Sequence, residues 1–282
     1  MLINYKGAVI EAPQGKVETN DDGQAEKATF FGRAKLKLND RKLEADNIII
    51  SIDKQLINAE GNTISELKDK KNNKLTIQAD SQELLWSGEN ATASGNIKTI
   101  YQDTKVLSDK VTVIYKNKRP NEAVFLGSSK QSNLEQPTNI TFAKEISFDL
   151  DTHNVLAKGN VKSTIWPDEK TPREKQDAVF LSSEELYIDN NTGITTAKGL
   201  NKKTDITYQE TRGESNEAYL LKKEQKPEKI IFKGKANVSQ ADKELSSEEV
   251  IFSFKDKKLT SNTTLKTRPK TLILKTTENK KL

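Results

Sequence analysis

The chain has 282 residues, 33% of them hydrophobic and 31% charged, and its 46 Lys and Arg exceed its 41 Asp and Glu by a formal +5, with a pI near 9.0. The apolar share is below that of an ordinary globular domain, which excludes a thick core but allows a thin one between two half-buried sheets. The absence of cysteine removes disulfides, thiolate catalysis and cysteine-bound metals, and the basic residues are scattered among acidic ones, without the stripe or motif that nucleic-acid binding needs.

The start, Met1-Leu2-Ile3-Asn4, lacks a signal-peptide core, and no apolar run reaches the roughly 18 to 20 residues of a membrane helix. If exported, the chain is expected to be a processed form or one cut from an anchor. Tyr5 to Glu11 (YKGAVIE) is the first predicted strand, and Ala28 to Leu36 (ATFFGRAKL) follows around Gly32.

From Leu43 a longer unit begins, LEADNIIISIDKQLINAEGN. It places a small residue (Ala45) and an acid (Asp46) before alternating Ile48, Ile50 and Ile52, then a turn, then Ala59, Gly61 and Asn62. The order returns at Ala79, Asp80, Leu84, Trp86, Ala93, Gly95, Asn96, and again at Ser108, Asp109, Val111, Val113, Tyr115, Gly127. A fourth copy holds Ala143, Ile146, Phe148, Leu150, Ala157, Gly159 and Asn160, with Lys144 in the acidic slot. A fifth has Ser183, Glu184, Leu186, Ile188, Ala197 and Gly199, and a sixth has Ser247, Glu248, Val250, Phe252 and Phe254 without the glycine. Between these two, Glu228 to Val238 (EKIIFKGKANV) repeats the second half of the unit around Gly234.

Alternation with period two, carried by β-branched and aromatic residues, predicts strands, and turn formers such as Asp53-Lys54 and Asn190-Asn191-Thr192-Gly193 between the halves predict antiparallel hairpins. The inward face changes phase between Ala45 and Ile48, which predicts a bulge at Asp46-Asn47; the recurring glycine predicts a second bend. Glycine gaps of 29 to 40 residues are too uneven for a strict solenoid.

Chemistry-bearing motifs are missing. There is no Walker loop, G-x-S-x-G, H-E-x-x-H or dinucleotide fingerprint, and the one histidine, His153, sits in a polar turn, LDTHNV, as a turn residue rather than a base. The sequence therefore predicts no enzyme, no catalytic residue, no cofactor and no metal.

The motif pair, LEADNIIISI with AEGN and ITFAKEISFDL with AKGNV, resembles the OstA/LptA lipopolysaccharide-transport superfamily of LptA, LptC and the LptD N-terminal domain, over roughly Ala28 to Thr260. The resemblance implies an all-β fold, an elongated antiparallel β-jellyroll of two facing sheets with an open groove, built from repeated hairpins. It implies an edge-strand region at 1–27, the jellyroll body at 28–262 and a Lys-rich edge strand and tail at 263–282. It implies lipopolysaccharide or a similar glycolipid as cargo, carried between inner and outer membrane in the periplasm, and like-folded transport proteins as head-to-tail partners, with docking on membrane-bound ones.

The expected lipid groove is Ile48, Ile50, Ile52, Leu84, Trp86, Val111, Val113, Tyr115, Ile146, Phe148, Leu150, Leu186, Ile188, Val250, Phe252 and Phe254. The expected partner edges are Tyr5, Ala8, Val9 and Ile10 at one end and Leu272, Ile273 and Leu274 at the other. Two alternatives stand beside this reading. One is a structural, adhesive or polysaccharide-binding parallel β-solenoid; the other is the periplasmic part of an outer-membrane assembly protein.

Overall fold

The computed structural model describes residues 1–87, 89–223, 226–261 and 270–273. Among these the regular structure is β, apart from one 3-10 turn at Arg173–Lys175, and every strand pairing is antiparallel. A parallel β-solenoid is thereby ruled out, because its coils pair parallel strands.

The chain divides into two compact units, Met1–Gln136 with Lys144–His153, and Pro137–Ala143 with Asn154 onward. The division falls inside the fourth repeat, which the two units share.

The first unit begins with β1 (Leu2–Tyr5), β2 (Ala8–Glu11) and β3 (Gln14–Thr19). Six long strands follow: β4 (Ala25–Leu38), β5 (Arg41–Ser51), β6 (Leu56–Lys68), β7 (Lys74–Leu85), β8 (Asn90–Tyr101) and β9 (Thr104–Lys116). Each pairs with the next as a hairpin. β10 (Arg119–Leu126) and β11 (Ser132–Gln136) pair with the two halves of β9. β12 (Asn139–Ala143) belongs to the second unit, whereas β13 (Glu145–Asp149) returns to the first and pairs with β10.

In the second unit β12 pairs with β14 (Val155–Ile165), which pairs in turn with β15 (Val179–Asp189). β16 (Ile194–Lys198) and β17 (Thr204–Tyr208) cover the two halves of β15. β18 (Thr211–Ser215) and β19 (Glu217–Lys223) continue to β20 (Lys226–Gln240), β20 to β21 (Lys243–Ser253), and β22 (Lys258–Ser261) and β23 (Lys270–Ile273) cover the halves of β21.

A single device bends every long strand. On β5 the buried residues step by three at the bend, from Ala45 to Ile48; on β6 they step by four, from Ala59 to Thr63. The register accounts for this. Glu44 pairs with Ile64 and Asn47 with Glu60, so β6 carries one residue more than β5 between them. The surplus is taken up by Gly61 (φ +77°) and Asn62 (φ +47°), both left-handed. The expected bulge at Asp46-Asn47 is therefore corrected: the two expected bends are one, and its extra residue lies on the glycine strand, with the acid opposite. β7/β8 and β14/β15 show the same three-against-four step at Ala79–Gln82 against Ala93–Ile97, and at Ser183–Leu186 against Ala157–Val161.

The acid is opposite the glycine because it serves the bend. Asn62 Nδ2 donates to Asp46 Oδ2 at 2.8 Å, a contact open only because Gly61 has no side chain; a Cβ there would stand 2.5 Å from that same oxygen. Where the strand breaks into a loop instead, the acid caps it: Asp109 accepts the backbone N–H groups of Ser128 and Ser129 at 2.7 and 2.9 Å. Glu184 accepts those of Leu200, Asn201 and Lys202.

Because a step of three on one strand lies against a step of four on its neighbour, both halves of each long strand turn their apolar residues the same way. One continuous cluster in the first unit gathers Leu36, Leu38 and Leu43 from one half with Phe30, Ile48, Ile50, Ile57 and Leu84 from the other. The halves thus form two leaves that face each other across a shared interior, as in a β-jellyroll.

Candidate functional site

In the first unit, registered pairs line the upper leaf with two ladders. One runs Phe30, Ile48, Ala59, Gln82, Ala93, Val111, Phe125, Ile146; the other runs Ala28, Ile50, Ile57, Leu84, Ala91, Val113, Ala123, Phe148. The lower leaf answers with Ile10, Leu36, Leu43, Ser65, Ile77, Thr99, Val106 and Leu134. Gln82 is the polar interruption of the upper ladder, and its side-chain amide donates to Thr63 Oγ1 at 3.0 Å and to the Ile77 carbonyl at 3.2 Å. A buried amide so satisfied carries little penalty.

Every residue of the expected groove faces this interior or its counterpart in the second unit. Ile48, Ile50, Leu84, Val111, Val113, Ile146, Phe148 and Leu150 are buried in the first unit, and Leu186, Ile188, Val250 and Phe252 in the second. Ile52, Trp86, Tyr115 and Phe254, at the ends of their stripes, are half-buried. The interior is closed in this structure, with its side chains packed on one another.

Within each unit those residues belong to one leaf. The sequence reading missed the other: Ile10, Leu36, Leu43, Ile77, Val106 and Leu134 in the first unit, and Leu181, Ile206 and Val238 in the second, all buried. Their signal was the alternation N-terminal to each acid, thinned by the Ser and Thr residues of the same face.

The two leaves meet again at their free ends, which form a seam. β5 and β9 are four strands apart in pairing order, about 19 Å at the usual strand spacing. Yet the Arg41 guanidinium lies 4.0 Å from the Tyr115 ring centroid, so the contact crosses from leaf to leaf. Beside it Arg119 Nη1 reaches Asp40 Oδ2 at 2.8 Å. Burial pushes the Tyr115 hydroxyl up to about 12, against the pull of the Arg41 charge.

Further contacts close the same seam. Tyr5 meets Trp86 edge to face at 5.5 Å. Tyr101 packs on Phe148 at 5.8 Å and on His153 at 5.6 Å, and its hydroxyl donates to Asp69 at 2.5 Å, with the Leu150 carbonyl at 3.0 Å. Burial pushes the Asp69 carboxyl up, but the donors from Tyr101, Asn73 and Lys71 outweigh it and hold the group below its ordinary range. Lys70 pairs with Asp151 at 2.5 Å. His153 is a turn residue with φ +61°, its N–H donating to the Asp149 carbonyl at 2.9 Å.

The second unit repeats the plan. Tyr208 packs edge to face on Phe254 at 4.7 Å, and Gln240 Nε2 donates to the Lys257 carbonyl at 3.0 Å. Inside, Gly213 of one leaf faces Phe232 of the other so closely that a Cβ would stand 2.3 Å from the ring.

Of the expected partner edges, Tyr5 lies on β1, whereas Ala8, Val9 and Ile10 lie on β2, which pairs with β1 on one side and β4 on the other. Ala8 and Ile10 are core residues, 0% and 1% exposed. The first strand is therefore β1, not the whole Tyr5–Glu11 segment. Leu272 and Ile273 lie on β23, paired with β21; Leu274 lies outside the described residues. Among the described residues no group of three or more acidic or histidine side chains is arranged to hold a metal ion.

With this geometry in place, comparison with known proteins gives a direct match. The profile of the family described as LptA/(LptD N-terminal domain) LPS transport protein matches residues 76–258. No curated protein matches the chain. Among solved structures, LptH from Pseudomonas aeruginosa, the LptA-homologous periplasmic component of a lipopolysaccharide transport device, aligns at a TM-score of 0.37 and 13% identity, covering 43% of this chain and 83% of that one.

Proposed function

This chain belongs to the LptA/LptD N-terminal domain family of LPS transport proteins, whose members transport and bind rather than catalyse, and on that premise we propose that it carries lipopolysaccharide or a related glycolipid in the periplasm, with acyl chains held between its two leaves. The observation that carries the reading is the seam. Each unit has an apolar interior bounded on one side by the bends, where every strand is continuous or capped, and on the other by lips held through side-chain contacts.

The energetics favour entry at the lips. A cation–π or aromatic pair contributes about 0.5 to 1.5 kcal/mol, and an exposed ion pair about 1 kcal/mol or less. Burying one acyl methylene gains about 0.8 kcal/mol, so a few methylenes offset each contact that parts. Side chains that now touch one another would touch hydrocarbon instead, and little apolar surface would be wetted.

Transfer between like-folded proteins would use the open hydrogen-bonding side of β1, which extends the sheet by strand addition. The alternative placement, in the periplasmic part of an outer-membrane assembly protein, uses the same interior in the same way.

Photocrosslinking in a Gram-negative cell tests the proposal. A benzophenone amino acid replacing Trp86 or Phe254, at the seam, should give lipopolysaccharide adducts, and one replacing Tyr187, 38% exposed on the outer face, should not. Adducts at Tyr187 alone, or at none of the three, would remove the carrier reading.

A further inference from the structure

At the seam of the first unit, the β4–β5 and β9–β10 turns and the end of β6 enclose a recess of about 250 Å³. Its charged lining is Arg41, Lys68, Lys118 and Arg119 against a single carboxylate, Asp40. Its apolar lining is Leu67, 1% exposed, and Pro120. Four cations and one carboxylate around so small a space give the lining an excess of positive charge. The recess is therefore a preformed site for an anion.

The type of anion follows from the donors. Two guanidinium groups offer planar forks, and two lysines add mobile point charges, a set that suits the several oxygens of a phosphoryl group better than a lone carboxylate. The guanidinium of Arg41, a residue 7% exposed, lies over the Tyr115 ring, so part of the ordering is done before a ligand arrives. Left-handed residues at both turns, Asn39 (φ +53°), Asn117 (φ +54°) and Lys118 (φ +63°), hold the backbone on either side in tight turns.

The source of the phosphoryl group follows from position. Leu67 belongs to the apolar interior, where it pairs with Leu75, so an anion in the recess sits at the boundary between water and the acyl space. An amphiphile with a charged head and several chains can place the head here and its chains across the lip. We propose that this recess binds a phosphoryl group of the transported glycolipid, and that in doing so it draws Arg119 from Asp40 and loosens the seam at that point. The proposal rests on the carrier reading above.

The test is equilibrium binding of lipopolysaccharide to the full chain, before and after enzymatic removal of the lipid's phosphates. The wild type should bind the intact form about tenfold more tightly, as loss of one charge-assisted contact would give. The exposed pair Lys68→Gln/Lys118→Gln should lose about tenfold for the intact form and nothing for the stripped form, with an unchanged circular dichroism spectrum; Asp40→Asn should tighten the intact form. Millimolar inorganic phosphate should compete with the intact form only. If intact and stripped lipid bind equally and the charge variants are silent, the recess proposal fails while the interior reading stands. If neither lipid binds the wild type, the interior reading fails and takes the recess with it. Inorganic phosphate that binds through Lys68 and Lys118 while lipid affinity ignores them would assign the recess to free phosphate and overturn the lipid source.

Discussion

Asn96 Nδ2 donates to Asp80 Oδ2 at 2.8 Å, across the bend between β8 and β7. The bond joins the extra residue on one strand to the acid that faces it on the other, as Asn62 and Asp46 do one hairpin earlier. Gly95 beside it has φ +79°, and a Cβ there would lie 2.3 Å from the same oxygen.

Gly95→Ala should therefore destabilise the protein by about 1 to 2 kcal/mol, the cost of a side chain in the left-handed region. Asn96→Gly loses the bond but relieves the strain of φ +47°, and should stay within about 0.5 kcal/mol of wild type. Urea midpoints at neutral pH measure both; equal losses would mean the bend does not need its glycine.

The acid slots make stability depend on pH. Backbone N–H groups of Ser128 and Ser129 hold the Asp109 carboxyl far below its ordinary 3.8, and that of Asn201, with further donors, holds Glu184 below 4.5. A carboxyl depressed in the folded state contributes stability that is full above its unfolded value and is lost as pH falls through the folded one. Wild type should lose stability below about pH 4, and Asp109→Asn or Glu184→Gln should be weaker at pH 7 and lose less between pH 7 and pH 3. A variant with the same acid slope as wild type would contradict this.

Gly213 and Phe232 fill one volume from opposite leaves of the second unit. Gly213→Ala should cost about 1 to 3 kcal/mol by overpacking, and adding Phe232→Leu should recover part of it. Thermal melts of the two single variants and the double variant decide; strict additivity would place the two residues out of contact.

Since the chain has no cysteine, Tyr5→Cys/Trp86→Cys can be bridged across the seam by a bis-maleimide. Bridging should abolish lipid uptake, while each single variant treated alike keeps it. Undiminished uptake by the bridged protein would show that lipid does not pass this part of the seam.

Deleting Met1–Tyr5 removes β1 but spares Ala8 and Ile10. The shortened protein should keep its β circular dichroism and lose pairing with a like-folded partner in a pull-down. Deleting through Glu11 also removes two core residues and should lower the melting temperature. Partner pairing that survives the shorter deletion would take the docking role from β1.

The strands were legible because Ile48, Ile50 and Ile52 alternate, and the bends because Asp46 and Gly61 recur at a spacing that pairing later explained. The lower leaf was not, since Ser65 and Thr99 share a ladder with Leu43 and Ile77 and weaken its apolar alternation. Nor was the seam: Arg41 and Tyr115 meet only after every strand between them has folded over, a relation without local signature. The division within the fourth repeat was hidden for a similar reason, because β12 and β13 read as one strand and part only at Lys144.

The three-against-four step has a consequence for how such a chain can grow. Each hairpin contains its own correction of phase, so an added hairpin leaves the facing of every later one unaltered, and its turn can lengthen freely. Deleting one residue inside a Gly-Asn pair is the contrary case: it removes the surplus that sets four steps on one strand against three on the other, and the bend is lost with it. Evolution can thus lengthen this architecture by duplicating whole hairpins, while single-residue losses at the bends should be purged.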